Sequence, residues 1–155
     1  IVNAKIEKTG VEGTAYAIPS LIAVGIAQNV IAQETSSNVG SITPQVFALD
    51  KNLGVELGVE ESFAQYNSNL KVTEIISKIE VESVASGLAH GKLRAGDVLV
   101  SLTVKGKEVA LNRDYLWGDY MWYFKSGDTV RITVNRGGVQ TTVSIVLTGN
   151  PTSIS

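Results

Sequence analysis

The sequence predicts a mainly β protein with two or three helices, arranged as a small, partly open barrel. The clearest signal lies near the C-terminus. Val130, Ile132 and Val134 alternate with Thr129, Arg131 and Thr133, and Val143, Ile145 and Leu147 alternate with Thr142, Ser144 and Val146. A period of two sends one face of a strand to the core and the other to water. Gly137-Gly138 sits between the two runs as a hairpin turn. A β-branched run at Leu70–Ile79 adds a further strand, and only a few short stretches carry helical spacing.

Composition narrows the function classes. The chain has 155 residues, 44% hydrophobic and 18% charged, so it can bury a core. Its formal charge of −2 argues against nucleic acid as a partner, since phosphates need a basic face. There is no Cys, which removes disulfides, thiolate metal sites and Cys nucleophiles. His90 is the one His. It sits beside Gly91 and reads as a surface residue. No G-x-S-x-G nucleophile turn occurs. The expectation is a binding module with no catalytic residues, no metal site and no cofactor.

The elements follow in order. Val2–Lys8 and Thr14–Ile18 read as short strands, with Gly10 and Gly13 in the turn. No basic n-region and cleavage site opens the chain. Gly13–Gln33 carries no charge, but Pro19, Ser20, Gln28 and Asn29 interrupt it, so it splits into a strand end and a helix over 20–33. Ile22, Ile26 and Val30 recur on that helix at i, i+4, i+8, and Leu21 and Val24 widen the stripe. The polar stretch ETSSNVGSIT before Pro44 reads as a linker. The domain organisation expected is therefore 1–33, a linker at 34–45, a main domain at 46–149 and a tail at 150–155. Within the main domain, Ser83–Leu93 is a short helix candidate and Val98–Val104 a strand closed by a turn at Lys105–Lys107. Asp114–Phe124 reads as a helix, N-capped by Asn112 and stopped by Gly127-Asp128. Ser68–Lys71 matches S-x-x-K and Lys8–Gly10 matches K-T-G, but their order is reversed and the linker separates them, so both read as coincidence.

Leu88–Val109, LAHGKLRAGDVLVSLTVKGKEV, resembles the centre of a PDZ domain of the bacterial protease-associated kind. Gly96-Asp97 opens its strand, Gly106–Val109 makes its turn, and Ser126–Gly138 resembles the closing hairpin. Upstream, Gly13–Ser20 (GTAYAIPS) resembles the end of the trypsin-like domain of HtrA-type serine proteases, and Ile1-Val2-Asn3 the strand after the nucleophile. The resemblance implies a PDZ-like partly open barrel preceded by a strand-and-helix remnant of a trypsin-like β-barrel, with the triad upstream of residue 1. It also implies a bacterial, extracytoplasmic setting in the periplasm or at the cell surface. Any membrane anchor would likewise lie upstream of residue 1.

The same resemblance implies a peptide site. PDZ-like domains add an extended peptide as a strand to a sheet edge, and a glycine loop offers amides to a carboxylate. Leu53-Gly54-Val55 fits the loop pattern, with Val55, Glu56 and Leu57 continuing as the pairing strand. Leu57-Gly58-Val59 also fits the pattern, but the first copy is favoured because Val55, Glu56 and Leu57 can then continue as that strand. The opposite wall is expected from Leu116, Trp117, Tyr120, Met121 and Phe124, one side packing inward and the other lining a pocket for an apolar last residue. The implied partners are protein C-termini and unfolded segments, together with the parent protease domain. The alternative is a structural or homo-oligomerisation role for the apolar strand-and-helix piece at 1–33.

Overall fold

The structure, a computed structural model, describes residues 2–5, 15–34, 45–46, 52–149 and 152–153. The expected turn at Gly10 and Gly13, the K-T-G stretch and linker residues 35–44 lie outside these. Val2–Lys5 (β1) pairs antiparallel with Ala15–Ala17 (β2), and Ser20–Glu34 forms helix α1. Gln45–Val46 (β3) pairs with Thr152–Ser153 (β10), so part of the expected tail returns to the start of the main domain.

The main sheet is antiparallel. Its strands are Val55–Asn67 (β4), Val72–Val84 (β5), Val98–Val104 (β6), Lys107–Ala110 (β7), Thr129–Arg136 (β8) and Val139–Val146 (β9). They run in the order β4-β5-β6-β8-β9, with β7 on β6, as a sheet that does not close. The alternating strands behave as their pattern predicts. Val130, Ile132 and Val134 are fully buried, while Thr133 and Thr142 share a hydroxyl contact of 3.1 Å on the outer face. Leu53, Val81, Leu102, Ile145 and Leu147 complete the centre of the core, and Trp117 and Phe124 close it from the helical side.

Two helix expectations change. Ser83–Leu93 is not a helix. Val84 pairs with Val55 and extends β5, and the chain then turns through 85–93. A β-branched residue with a strand partner stays in the ladder, and Gly87 and Gly91 weaken any helix beyond it. The second helix is shorter than Asp114–Phe124. Leu116–Tyr120 is α2, and Met121–Tyr123 tightens into a 3-10 turn. Asn112 does not cap it. The Asn112 carbonyl instead accepts the Ser77 N–H at 2.9 Å, and Tyr115 takes the N-cap position.

Helix α1 packs on that 3-10 turn. Its buried line runs through Gly25 and Asn29, and Val24, expected in the stripe, is 46% exposed. The cause is close approach. A Cβ on Gly25 would lie 2.8 Å from the Trp122 Cβ, so only glycine lets the two backbones meet. The Tyr123 hydroxyl donates to the Leu21 carbonyl at 2.8 Å and fastens the contact. Among the described residues no helix is long and apolar enough to cross a membrane.

Candidate functional site

The segment Leu53-Gly54-Val55 is built as a turn held from behind. Gly54 has φ +71, a conformation that glycine adopts at no steric cost. Gly58, in the competing Leu57-Gly58-Val59, lies inside β4 and is absent from the positive-φ glycines. Three successive carbonyls turn toward residues 85–89. Asn52 O accepts the Leu88 N–H (3.1 Å), Leu53 O the Ala89 N–H (3.0 Å) and Gly54 O the Ala85 N–H (2.7 Å). In a trans peptide the following N–H points opposite to the carbonyl. The amides of Leu53, Gly54 and Val55 are therefore aimed away from 85–89. Gly87 permits this clasp, because a Cβ there would lie 2.5 Å from the Leu53 oxygen.

Beyond the turn, β4 is an edge strand. Val55 sits opposite Val84, and the bond from Ala85 to Gly54 fixes the hydrogen-bonding phase. In an antiparallel ladder that phase turns the N–H and C=O of Val55 outward, away from β5. A bulge between Glu56 and Leu57 then resets the register. Across from this edge stands α2, and between them lies a groove of about 400 Å³ lined by Val55, Glu56, Leu57, Asp114, Tyr115, Trp117, Gly118 and Met121.

The expected wall residues divide. Trp117 and Met121 line the groove. Leu116, Tyr120 and Phe124 do not; Phe124 is 4% exposed inside the core, and Leu116 and Tyr120 pack against it. The division follows helical spacing: Leu116, Tyr120 and Phe124 recur every four residues on the inner side, Trp117 and Met121 on the adjoining one. Asp114, Tyr115 and Gly118 were missed by sequence reasoning, which followed only apolar residues. Trp117 contributes an unusual group. Its Nε1 is buried and has no hydrogen-bond partner among the described residues.

The side of the helix and turn away from the groove holds groups shifted by burial. Burial pushes the Asp119 carboxyl up from its ordinary value. Burial, followed by the charges of Tyr123 and Asp119, pushes the Tyr120 phenol up, and burial does the same to Tyr123. Both phenols therefore keep their protons at neutral pH. Among the described residues no group of three or more His, Asp or Glu side chains is placed to hold a metal. His90 is exposed, as expected.

The Gly96-Asp97 step has a structural part. Asp97, 1% exposed, accepts Arg136 Nε at 2.7 Å, Arg136 Nη2 at 2.7 Å and the Arg94 N–H at 2.9 Å. Burial alone would raise this carboxyl. The Arg136 fork, the Arg94 amide and the charges of both arginines outweigh burial and hold it below 3.8. Arg136 Nη2 also donates to the Lys92 carbonyl at 2.8 Å, so the ion pair ties the loop before β6 to the end of β8.

The comparisons with known proteins agree with the order of these elements. No family model matches the chain. It is 31% identical over 150 residues, covering 92% of its length, to the serine protease Do-like HtrA of Lactobacillus helveticus. The chain is HtrA-like. It spans 32% of that relative's length. The HtrA-type protease AlgW, solved with a decapeptide, superposes with a TM-score of 0.50 at 21% identity, over 97% of this chain and 42% of the other. At that identity the likeness concerns the fold, a mainly β, open sheet with two helices.

Proposed function

We propose that this HtrA-like chain is a PDZ-type peptide-binding unit that captures C-termini or unfolded segments by strand addition. The observation that carries the reading is the free outward edge of β4 at Val55, continuous with the positive-φ turn at Gly54 and facing α2 across the groove. An incoming strand would find main-chain partners on Val55, and its terminal carboxylate would meet the amides of 53–55. Val55, Leu57, Trp117 and Met121 would accept an apolar last side chain.

The decapeptide in the AlgW structure supports peptide binding at this fold. In this reading the serine peptidase chemistry belongs to the parent protein, in a bacterial extracytoplasmic setting, and capture regulates it. The chain itself supplies binding and no nucleophile. The structural alternative starts from an uncovered N-terminal piece; α1 is in fact packed on Met121–Tyr123, although Ile31 stays 61% exposed.

Fluorescent peptides with a free or an amidated apolar C-terminus test the proposal. Free-carboxyl peptides should bind measurably and amidated ones about tenfold more weakly or worse, because hydrogen bonds to a charged group contribute about 1.5–3 kcal/mol. Gly54→Glu should abolish binding of both. Equal, negligible binding of both forms to the intact chain overturns the reading.

A further inference from the structure

The groove carries charge of one sign only. Its lining holds two carboxylates, Glu56 and Asp114, and no Lys or Arg. Both side chains are exposed. Glu56 Oε2 accepts the Ser83 hydroxyl at 2.8 Å, and Asp114 Oδ1 accepts the Tyr115 N–H at 2.9 Å. Neither takes part in an ion pair among those between described residues. A groove lined by two carboxylates and no basic residue is a poor host for an anionic peptide tail. The terminal carboxylate has the amides of 53–55 to offset this; the residues before it do not.

The ladder says where compensation would come. Resting on the strand-addition reading above, a peptide antiparallel to β4 places its last residue opposite Val55. The preceding residue then stands opposite Glu56 and, by the alternation of a strand, shares its face. That is the face on which Glu56 meets Ser83 across the existing ladder. The residue before that returns to the Leu57 face, toward the α2 wall that carries Asp114. Directly opposed side chains in such a pair are about 4.5–5.5 Å apart at Cβ, within reach of a Lys or Arg head group.

We infer that the groove selects peptides with a Lys or Arg immediately before an apolar C-terminal residue, with Glu56 as the selecting group. Electrostatic pairing of this exposed kind discriminates partners more than it adds affinity.

Three free-carboxyl peptides, identical except for Lys, Ala or Glu at the penultimate position before Val, test it on the intact chain by fluorescence anisotropy. The Lys peptide should bind about five- to tenfold more tightly than the Glu peptide at low salt, and the gap should shrink toward twofold near 0.5 M salt as screening shortens. Glu56→Lys should invert the order, and Asp114→Asn should leave it unchanged, since Asp114 lies toward the other face of the bound strand. Equal binding of all three overturns the charge selection and leaves strand addition standing. Binding of none overturns both. An unchanged preference in Glu56→Lys removes Glu56 as the selecting residue.

Discussion

The β4–β5 hairpin has two halves that look alike in sequence and differ in everything else. In the half near the sheet, Val55, Ile79 and Val81 are at most 7% exposed. In the outer half, Tyr66, Leu70, Val72 and Ile75 are 47–64% exposed. Both halves belong to one antiparallel ladder, from Val55↔Val84 to Asn67↔Val72, with register shifts at Glu56/Leu57 and Val59/Glu61. What separates them is a third strand. β6 pairs with β5 at Ile79↔Leu99 and Glu80↔Val98, and among the described residues no third strand pairs further out; the 112–113 segment touches the hairpin there through the Asn112 carbonyl on the Ser77 amide and an Arg113–Glu74 contact of 3.7 Å. Local strand preference builds the ladder; burial needs a layer above it. The outer half is held instead by its own pairs. Ser62 and Ser77 hydroxyls meet at 3.0 Å, Lys78 bonds Glu61 at 2.6 Å, and the Asn67 Oδ1 accepts the Asn69 and Leu70 amides at the tip.

This contrast can be broken at several strengths. Asp97→Ala strikes the buried side hardest. It leaves the Arg94 amide without its partner and Arg136 without its fork, and should lower unfolding free energy by about 2–4 kcal/mol in urea titrations. Val81→Ala, fully buried in the inner half, should cost about 2 kcal/mol. The matched change Ile75→Ala in the outer half should stay within about 0.5 kcal/mol. Equal effects of Val81→Ala and Ile75→Ala would erase the distinction between the halves.

A pH series sharpens the same comparison. The Asp97 carboxyl titrates lower in the folded chain than its ordinary 3.8, so its contribution is present above that value and lost as pH falls through the lower folded one. The stability gap between the wild type and Asp97→Asn should therefore be full at pH 7 and narrow below about pH 4, while Ile75→Ala shows no such dependence. The most drastic edit should also be tolerated. Replacing residues 63–76 with an Asn-Gly turn after Ser62 should change stability by less than about 1 kcal/mol and leave binding to the groove within about twofold, since the cut falls where the ladder has no third strand.

The strands of the closing hairpin were legible in the sequence, and β4–β5 only partly so. Alternation at Val130–Val134 and Val143–Leu147 places those strands and their buried faces correctly, because a two-sided pattern records a core on one side. The run Leu70–Ile79 is correctly a strand, yet its apolar residues say nothing about where β6 ends. Residues 60–67 carry no clear pattern and become strand through pairing with β5. At the groove, Leu53-Gly54-Val55 was readable from glycine between apolar residues. Which of two such copies turns was not, because φ is set by the clasp with 85–89. Trp117 and Met121 were legible as one side of a helix, but which side faces the groove was not. Asp114, Tyr115 and Gly118 were not, because their place depends on where α2 begins.

The 3-10 turn at Met121–Tyr123 has a consequence for the segment upstream. Met121 faces the groove, while Trp122 and Tyr123 abut α1. At a rise of about 2 Å per residue, only ~4 Å of axis separates the two duties. The turn that lends Met121 to the groove is thus also the ledge on which α1 rests, through the Tyr123 hydroxyl on the Leu21 carbonyl.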